Sequence, residues 1–228
     1  MEGTLVRWYV RRDRRCDVVG AWLGVAREHL PDAVPHTYGT TEPLRERFVA
    51  GGEQTLRSAH ATAADFLFLS GGPSVPDAAL AAPVRGLSGR VGAHVLHTSR
   101  SPGDPAVRAF ALEFACRVPT IYVSASAESA HTSDTAEVFP ERTAEPEPYL
   151  APLGRWLGLP PAPPVWCWFG SAYASSLRRS SLVTRPYGPG LCWDGDLAGP
   201  WVPERLRARL DELEPRRRRA RRVPCGVR

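Results

Sequence analysis

The sequence predicts an α+β fold: a single mixed or antiparallel sheet with helices packed on it. Three observations carry that prediction. Apolar alternation at residues 4–10 and short apolar runs at 65–70, 91–98 and 120–125 mark strands. Apolar residues at helical spacing mark helices at 16–30 and 104–118. The two kinds of element follow no regular strand–helix alternation, which separates α+β from α/β.

Residues 4–10 (TLVRWYV) place Val6, Trp8 and Val10 on one face of a strand. In the helix at 16–30, Val18, Val19, Trp22, Leu23, Ala26 and Leu30 form the apolar side. Arg15, Arg27 and Glu28 lie opposite, and Pro31 stops the helix. Residues 32–48 read as a loop packed across the domain, and 53–60 as a short helix. Residues 65–70 (DFLFLS) form a buried strand that runs into Gly71-Gly72-Pro73-Ser74.

A strand at 91–98, a helix at 104–118 and a strand at 120–125 make a β-α-β unit over about 91–125. The helix is the clearest element. Asp104 is its N-cap, Pro105 its first residue, and Pro119 its end. Val107, Phe110, Ala111, Phe114 and Val118 form its stripe. Residues 126–143 are polar and read as an exposed loop. The segment 140–164 is Pro-rich, with a short helix expected at 149–157. Residues 165–169 read as an aromatic strand, followed by a helical turn near Tyr173. Residues 181–193 read as a hairpin around Tyr187-Gly188-Pro189-Gly190. A last helix at 203–213 sets Leu206, Leu210 and Leu213 on one side. The expected organisation is one α+β domain over 1–214, with 140–164 internal to it, and an Arg-rich disordered tail at 215–228.

Composition narrows the function classes. With 43% hydrophobic and 23% charged residues in 228, the chain is an ordinary globular one, neither disordered throughout nor collagen-like. No apolar run approaches the roughly 20 residues that span a bilayer. Residues 1–15 are Arg-rich without an apolar h-region or cleavage site, so a cytoplasmic protein is expected. The cysteines number 5, an odd count, and no two form C-x-x-C; this argues against a zinc ribbon or a disulfide framework.

All 29 basic residues are arginine, and Pro (23) and Gly (20) are abundant, as very GC-rich coding produces. The net charge of +5 resides in the tail: setting aside its seven arginines leaves 22 against 24 carboxylates. Arg216, Arg217, Arg218, Arg219, Arg221 and Arg222 are candidate anion-binding residues through phosphate contacts. Nothing base-reading or aromatic accompanies them, so nucleic-acid binding ranks below the other readings.

The candidate chemistry is sparse. Ser70-Gly71-Gly72-Pro73-Ser74 follows a strand, as phosphate-cradling turns do. It is not a P-loop, because the chain has no lysine. A plain turn between strands is the simpler reading. His94 and His97 are three apart in one strand, so they point to opposite faces and share no metal. Asp194-Gly195-Asp196 reads as a turn rather than a calcium loop, and His131 with Asp134 as a surface pair. Ser74 and Ser124 follow strands, but neither sits in a G-x-S-x-G elbow. Neither catalytic residues, cofactor nor metal is expected. Ser70, Ser74, His94 and His97 are the residues for which a pocket remains open. The seven tryptophans read as core.

One resemblance adds to this. Leu30-Pro31, the segment from Pro35 through His36-Thr37-Tyr38-Gly39-Thr40-Thr41-Glu42 to Pro43, the β-α-β unit, Trp156-Leu157-Gly158-Leu159-Pro160 and Trp168-Phe169-Gly170 with Tyr173 occur in that order. The order is similar to that of uncharacterised actinobacterial proteins of the immunity type. The resemblance covers residues 4–213, rests on short motifs and transfers no catalytic residue. It implies a protein that neutralises a toxin by binding it. The leading expectation is therefore a non-enzymatic binding protein with a protein partner. The alternatives are an enzyme or small-ligand binder using Ser70–Ser74 or His94 and His97, and nucleic-acid binding through the tail.

Overall fold

Ten strands of the chain hydrogen-bond into one antiparallel sheet, whose order follows from which apolar faces must be covered. The computed structural model describes residues 3–12, 14–83, 91–128, 150–151, 155–156, 159, 163–195 and 201. The strands are β1 (Gly3–Arg11), β2 (Thr37–Gly39), β3 (Glu46–Arg47), β4 (Phe66–Ser70), β5 (Asp77–Ala81), β6 (Val91–Thr98), β7 (Thr120–Glu128), β10 (Trp166–Phe169), β11 (Arg185–Tyr187) and β12 (Gly190–Asp194). Their order is β11-β12-β10-β7-β1-β6-β5-β4-β2-β3. The helices are α1 (Val18–His29), α2 (Glu53–Thr62), α3 (Pro105–Arg117) and the one-turn α4 (Ala174–Leu177).

The first strand is central because it is apolar on both faces. Val6, Trp8 and Val10 point to one side and Tyr9 to the other, all buried. β6 and β7 flank it, each antiparallel to it, and so run parallel to one another with β1 between them. The expected β-α-β unit is thus real, with its two strands split by the amino-terminal one.

On the Trp8 face lie α1 and α3. Asp17 caps α1 by accepting from the Gly20 N–H, and Asp104 caps α3 by accepting from Ala106 and Val107. Val107, Phe110, Phe114 and Val118 are all buried there. Trp8 and Trp22 stand edge-on to both phenylalanines of α3, with centroids 4.9–6.0 Å apart. Such pairs add about 0.5–1.5 kcal/mol each beyond their burial. Each indole N–H is satisfied, Trp8 donating to Ala111 O and Trp22 to Ala33 O. On the opposite face Tyr9, Tyr122, Phe169, Tyr173 and Trp193 form a second apolar cluster. Residues 166–169 feed both clusters by alternation: Trp166 and Trp168 join the first, Cys167 and Phe169 the second.

Three expectations need correction or completion. The described residues of 149–157, where a helix is expected, form none; β8 (Leu150–Ala151) and β9 (Arg155–Trp156) pair antiparallel instead. Pro152 and Gly154, which lie between them in sequence, are helix breakers. The stretch 32–48 is not all loop, because β2 and β3 add to the β4 edge. β5 carries only Asp-Ala-Ala-Leu-Ala, without a β-branched residue, and takes its strand form from pairing with β4 and β6. The helix at 203–213, the tail at 215–228 and nearly all of the loop at 126–143 lie outside the described residues. Among the described residues, no helix is long and apolar enough to cross a membrane.

Candidate functional site

The four residues for which a pocket remained open divide into separate bonding sets. Ser70 ends β4, where its carbonyl accepts from the His36 N–H. Ser74 is held on every side. Its hydroxyl donates to the Asp32 carboxylate, its oxygen accepts from Arg100 Nε, and its carbonyl accepts from Thr98 Oγ1 and the Ser99 N–H. The hydrogen bond from Ser74 is the chief cause that holds the Asp32 carboxyl below its usual range, helped by the Ser74 N–H, Arg100 and His36.

Asp32 also explains the glycines of the turn. A Cβ at Gly71 would sit 2.0 Å from Asp32 O, and one at Gly72 2.5 Å from Asp32 Oδ1. The N–H groups a phosphate would use are occupied from within: Gly72 donates to Asp32 O and Ser74 to Asp32 Oδ2. The turn is shaped around a carboxylate of its own chain.

His94 and His97 do point to opposite faces of β6. His97 is partly exposed, 3.9 Å from Asp77 on the neighbouring strand. His94 is buried on the Trp8 face, 5.7 Å from the Phe114 ring. Among the described residues, no group of three or more His, Cys, Asp or Glu is placed to hold a metal ion.

His94 belongs to a constellation that sequence reasoning missed. Its Nδ1 accepts from the Ala81 N–H at 2.9 Å, so the ring proton of the neutral form is on Nε2. The Ala81 carbonyl faces His60 Nε2 at 2.9 Å, and since a carbonyl only accepts, His60 donates there. Arg12 Nε donates to the next carbonyl, Ala82 O, at 2.5 Å. Two consecutive residues at the end of β5 thus gather one side chain each from the end of β1, from α2 and from β6. Gly92 makes the gathering possible, because a Cβ there would lie 2.4 Å from Arg12 Cδ.

These groups line a cleft of about 310 Å³. Arg11, Arg14 and Arg15 also line it, Arg14 and Arg15 being exposed. Burial drives His94 down to about 3, with His60 and Arg12 pushing the same way. Burial likewise lowers His60, against the pull of its hydrogen bond to Ala81. Both rings are therefore neutral near pH 7. Burial also lowers Arg12, with Asp65 opposing, yet a guanidinium stays charged. Cys16, on the same cleft, is raised by burial and by Asp17, and so is a thiol rather than a thiolate. Among the described residues, the cleft offers cations and N–H donors but no activated nucleophile. The signal in the sequence was the cluster Arg11-Arg12-Asp13-Arg14-Arg15 directly after a strand.

A second, more open groove of about 350 Å³ runs between α3 and the β11–β12 hairpin and is mostly apolar. Arg108 beside it pairs with Asp194 and lies 5.5 Å from the Trp166 ring centre. Asp194 closes β12 rather than serving only as a turn residue.

No family model matches this sequence, and no curated protein matches it. Among solved structures, the fold is similar to that of Pseudomonas aeruginosa T6SS protein PA0821. The TM-score is 0.50, over 85% of this chain and 68% of that one, at 12% identity. At that identity the likeness is one of fold.

Proposed function

We propose that this is a non-enzymatic binding protein of the immunity type, which neutralises a partner protein by occupying it. The observation that carries the reading is how the side chains with catalytic potential are engaged. Ser74 is held by Asp32 and Arg100, and His60 and His94 brace the two sides of Ala81 as neutral rings. Burial holds Cys167 as a thiol. The likeness of fold to a T6SS protein supports the same reading, as does the order of sequence motifs similar to immunity-type proteins. A toxin acting in the cytoplasm is the partner this implies.

The test is co-expression with each protein encoded beside its gene. The expected result is that one neighbour arrests growth, that this chain restores it, and that the two co-elute in a fixed ratio. Rescue that persists when this chain is far below the partner's amount means turnover, and the binding reading then fails. So does the absence of any rescued neighbour.

A further inference from the structure

Two residues that line the cleft at the end of β5 carry buried donor atoms without a partner among the described residues. Among the described residues, His94 Nε2, which carries the ring proton, has no hydrogen-bond partner, and neither has Arg12 Nη2. Leaving a buried donor unpaired costs about 1–3 kcal/mol, and more where the group is charged. Two such donors in one cleft, with three further arginines lining it, define a place for acceptor oxygens.

The charge balance decides which acceptor. The buried donor atom with charge is Nη2 of the half-buried Arg12, and Asp65 already acts on that guanidinium electrostatically. Neutral His94 contributes an N–H and no charge. A buried monoanion cancels one cation, whereas a dianion leaves net charge in a low-dielectric site. A carboxylate also spans two donors with its two oxygens. We propose that this cleft is a carboxylate-binding site, with Arg12 Nη2 and His94 Nε2–H as its paired donors and Arg14 and Arg15 as its exposed collar. Both donor atoms are shut off from solvent, so a ligand reaches them only as neighbouring side chains move aside. The inference stands apart from the identity of any protein partner, because it concerns the cleft alone. Its carboxylate has two sources, a free small acid or an acidic side chain of a polypeptide.

The experiment titrates the full chain at fixed ionic strength and at pH 8, where inorganic phosphate is mainly the dianion, following the NMR signal of the His94 Nε2 proton. The probes are acetate, acetyl-Gly-Glu-Gly-amide and inorganic phosphate. Saturable shifts with the carboxylates, tighter than with phosphate, are expected. Tighter binding of acetate points to a free acid, and tighter binding of the peptide to a side chain; either supports the site. Arg12→Gln weakens binding by about tenfold or more. Arg12→Lys, which keeps stem and charge but removes Nη2, does the same if the glutamine variant fails to fold. Arg14→Ser with Arg15→Ser weakens it only about two- to threefold. Three outcomes overturn the proposal: no saturable shift, as when an internal water pairs the donors; tighter binding of phosphate; or equal binding by folded Arg12 variants.

Discussion

The Tyr187 hydroxyl donates to the Glu113 carboxylate at 2.7 Å, across 74 residues of chain, and fastens the β11–β12 hairpin to α3. The contact holds one wall of the apolar groove in place. Tyr187→Phe keeps the ring and removes the donor. The expected cost is about 1 kcal/mol, because the pair is only partly buried. Urea unfolding measures it, and an unchanged midpoint would show that the hairpin is held by packing alone.

Phe114 lies under Trp8 and Trp22 at 5.4 and 5.3 Å and is wholly buried. Phe114→Ala opens a cavity where two indole edges lose their partner. A loss of about 3–5 kcal/mol is expected. A loss below about 1 kcal/mol would mean that α1 and α3 collapse onto the vacancy.

His94 makes stability sensitive to mild acid. Its folded pKa of about 3 lies below the 6.5 of an unperturbed imidazole, so below 6.5 the unfolded chain binds a proton that the fold refuses. Stability contributed by this group is complete above pH 6.5 and is lost as pH falls toward about 3. His60 is lowered too and acts in the same direction. The slope contributed by one such group is about 1.4 kcal/mol per pH unit. His94→Gln, which keeps an acceptor for the Ala81 N–H, flattens the profile between pH 6 and 4.5. An identical profile for the variant would assign the acid sensitivity elsewhere.

Gly71 and Gly103 form a matched pair for testing the turn. A Cβ on Gly71 collides with the Asp32 backbone at 2.0 Å, whereas one on Gly103 meets nothing within 4 Å. Gly71→Ala is expected to cost about 2 kcal/mol or more by overpacking. Gly103→Ala changes stability by less than about 1 kcal/mol. Thermal melts of both variants check the contrast, and equal effects would refute the close approach.

What was legible in the sequence was whatever a local rule could specify. Asp104-Pro105 and Pro119 bound α3 because caps and prolines act through their own backbone. Val6, Trp8 and Val10 showed the buried face of β1 because alternation needs no partner to be read. β5 was not legible, since its alanines favour a strand only once β4 and β6 lie on either side. The cleft was lost for the same reason. His94 was visible as one of a pair on a strand, but Arg12, His60 and His94 meet only on the backbone of Ala81 and Ala82.

The two outermost strands constrain how anything can approach this molecule. β3 has two residues, and β11 has three with Pro186 at its middle, so neither margin presents a ladder of N–H groups to copy. Chains that meet through sheet margins tend to stack without limit, and these margins are blunted against it. Whatever approaches either end of the sheet meets side chains rather than a backbone repeat. A sheet with such margins at both ends is a poor template for a further strand, its own or another chain's.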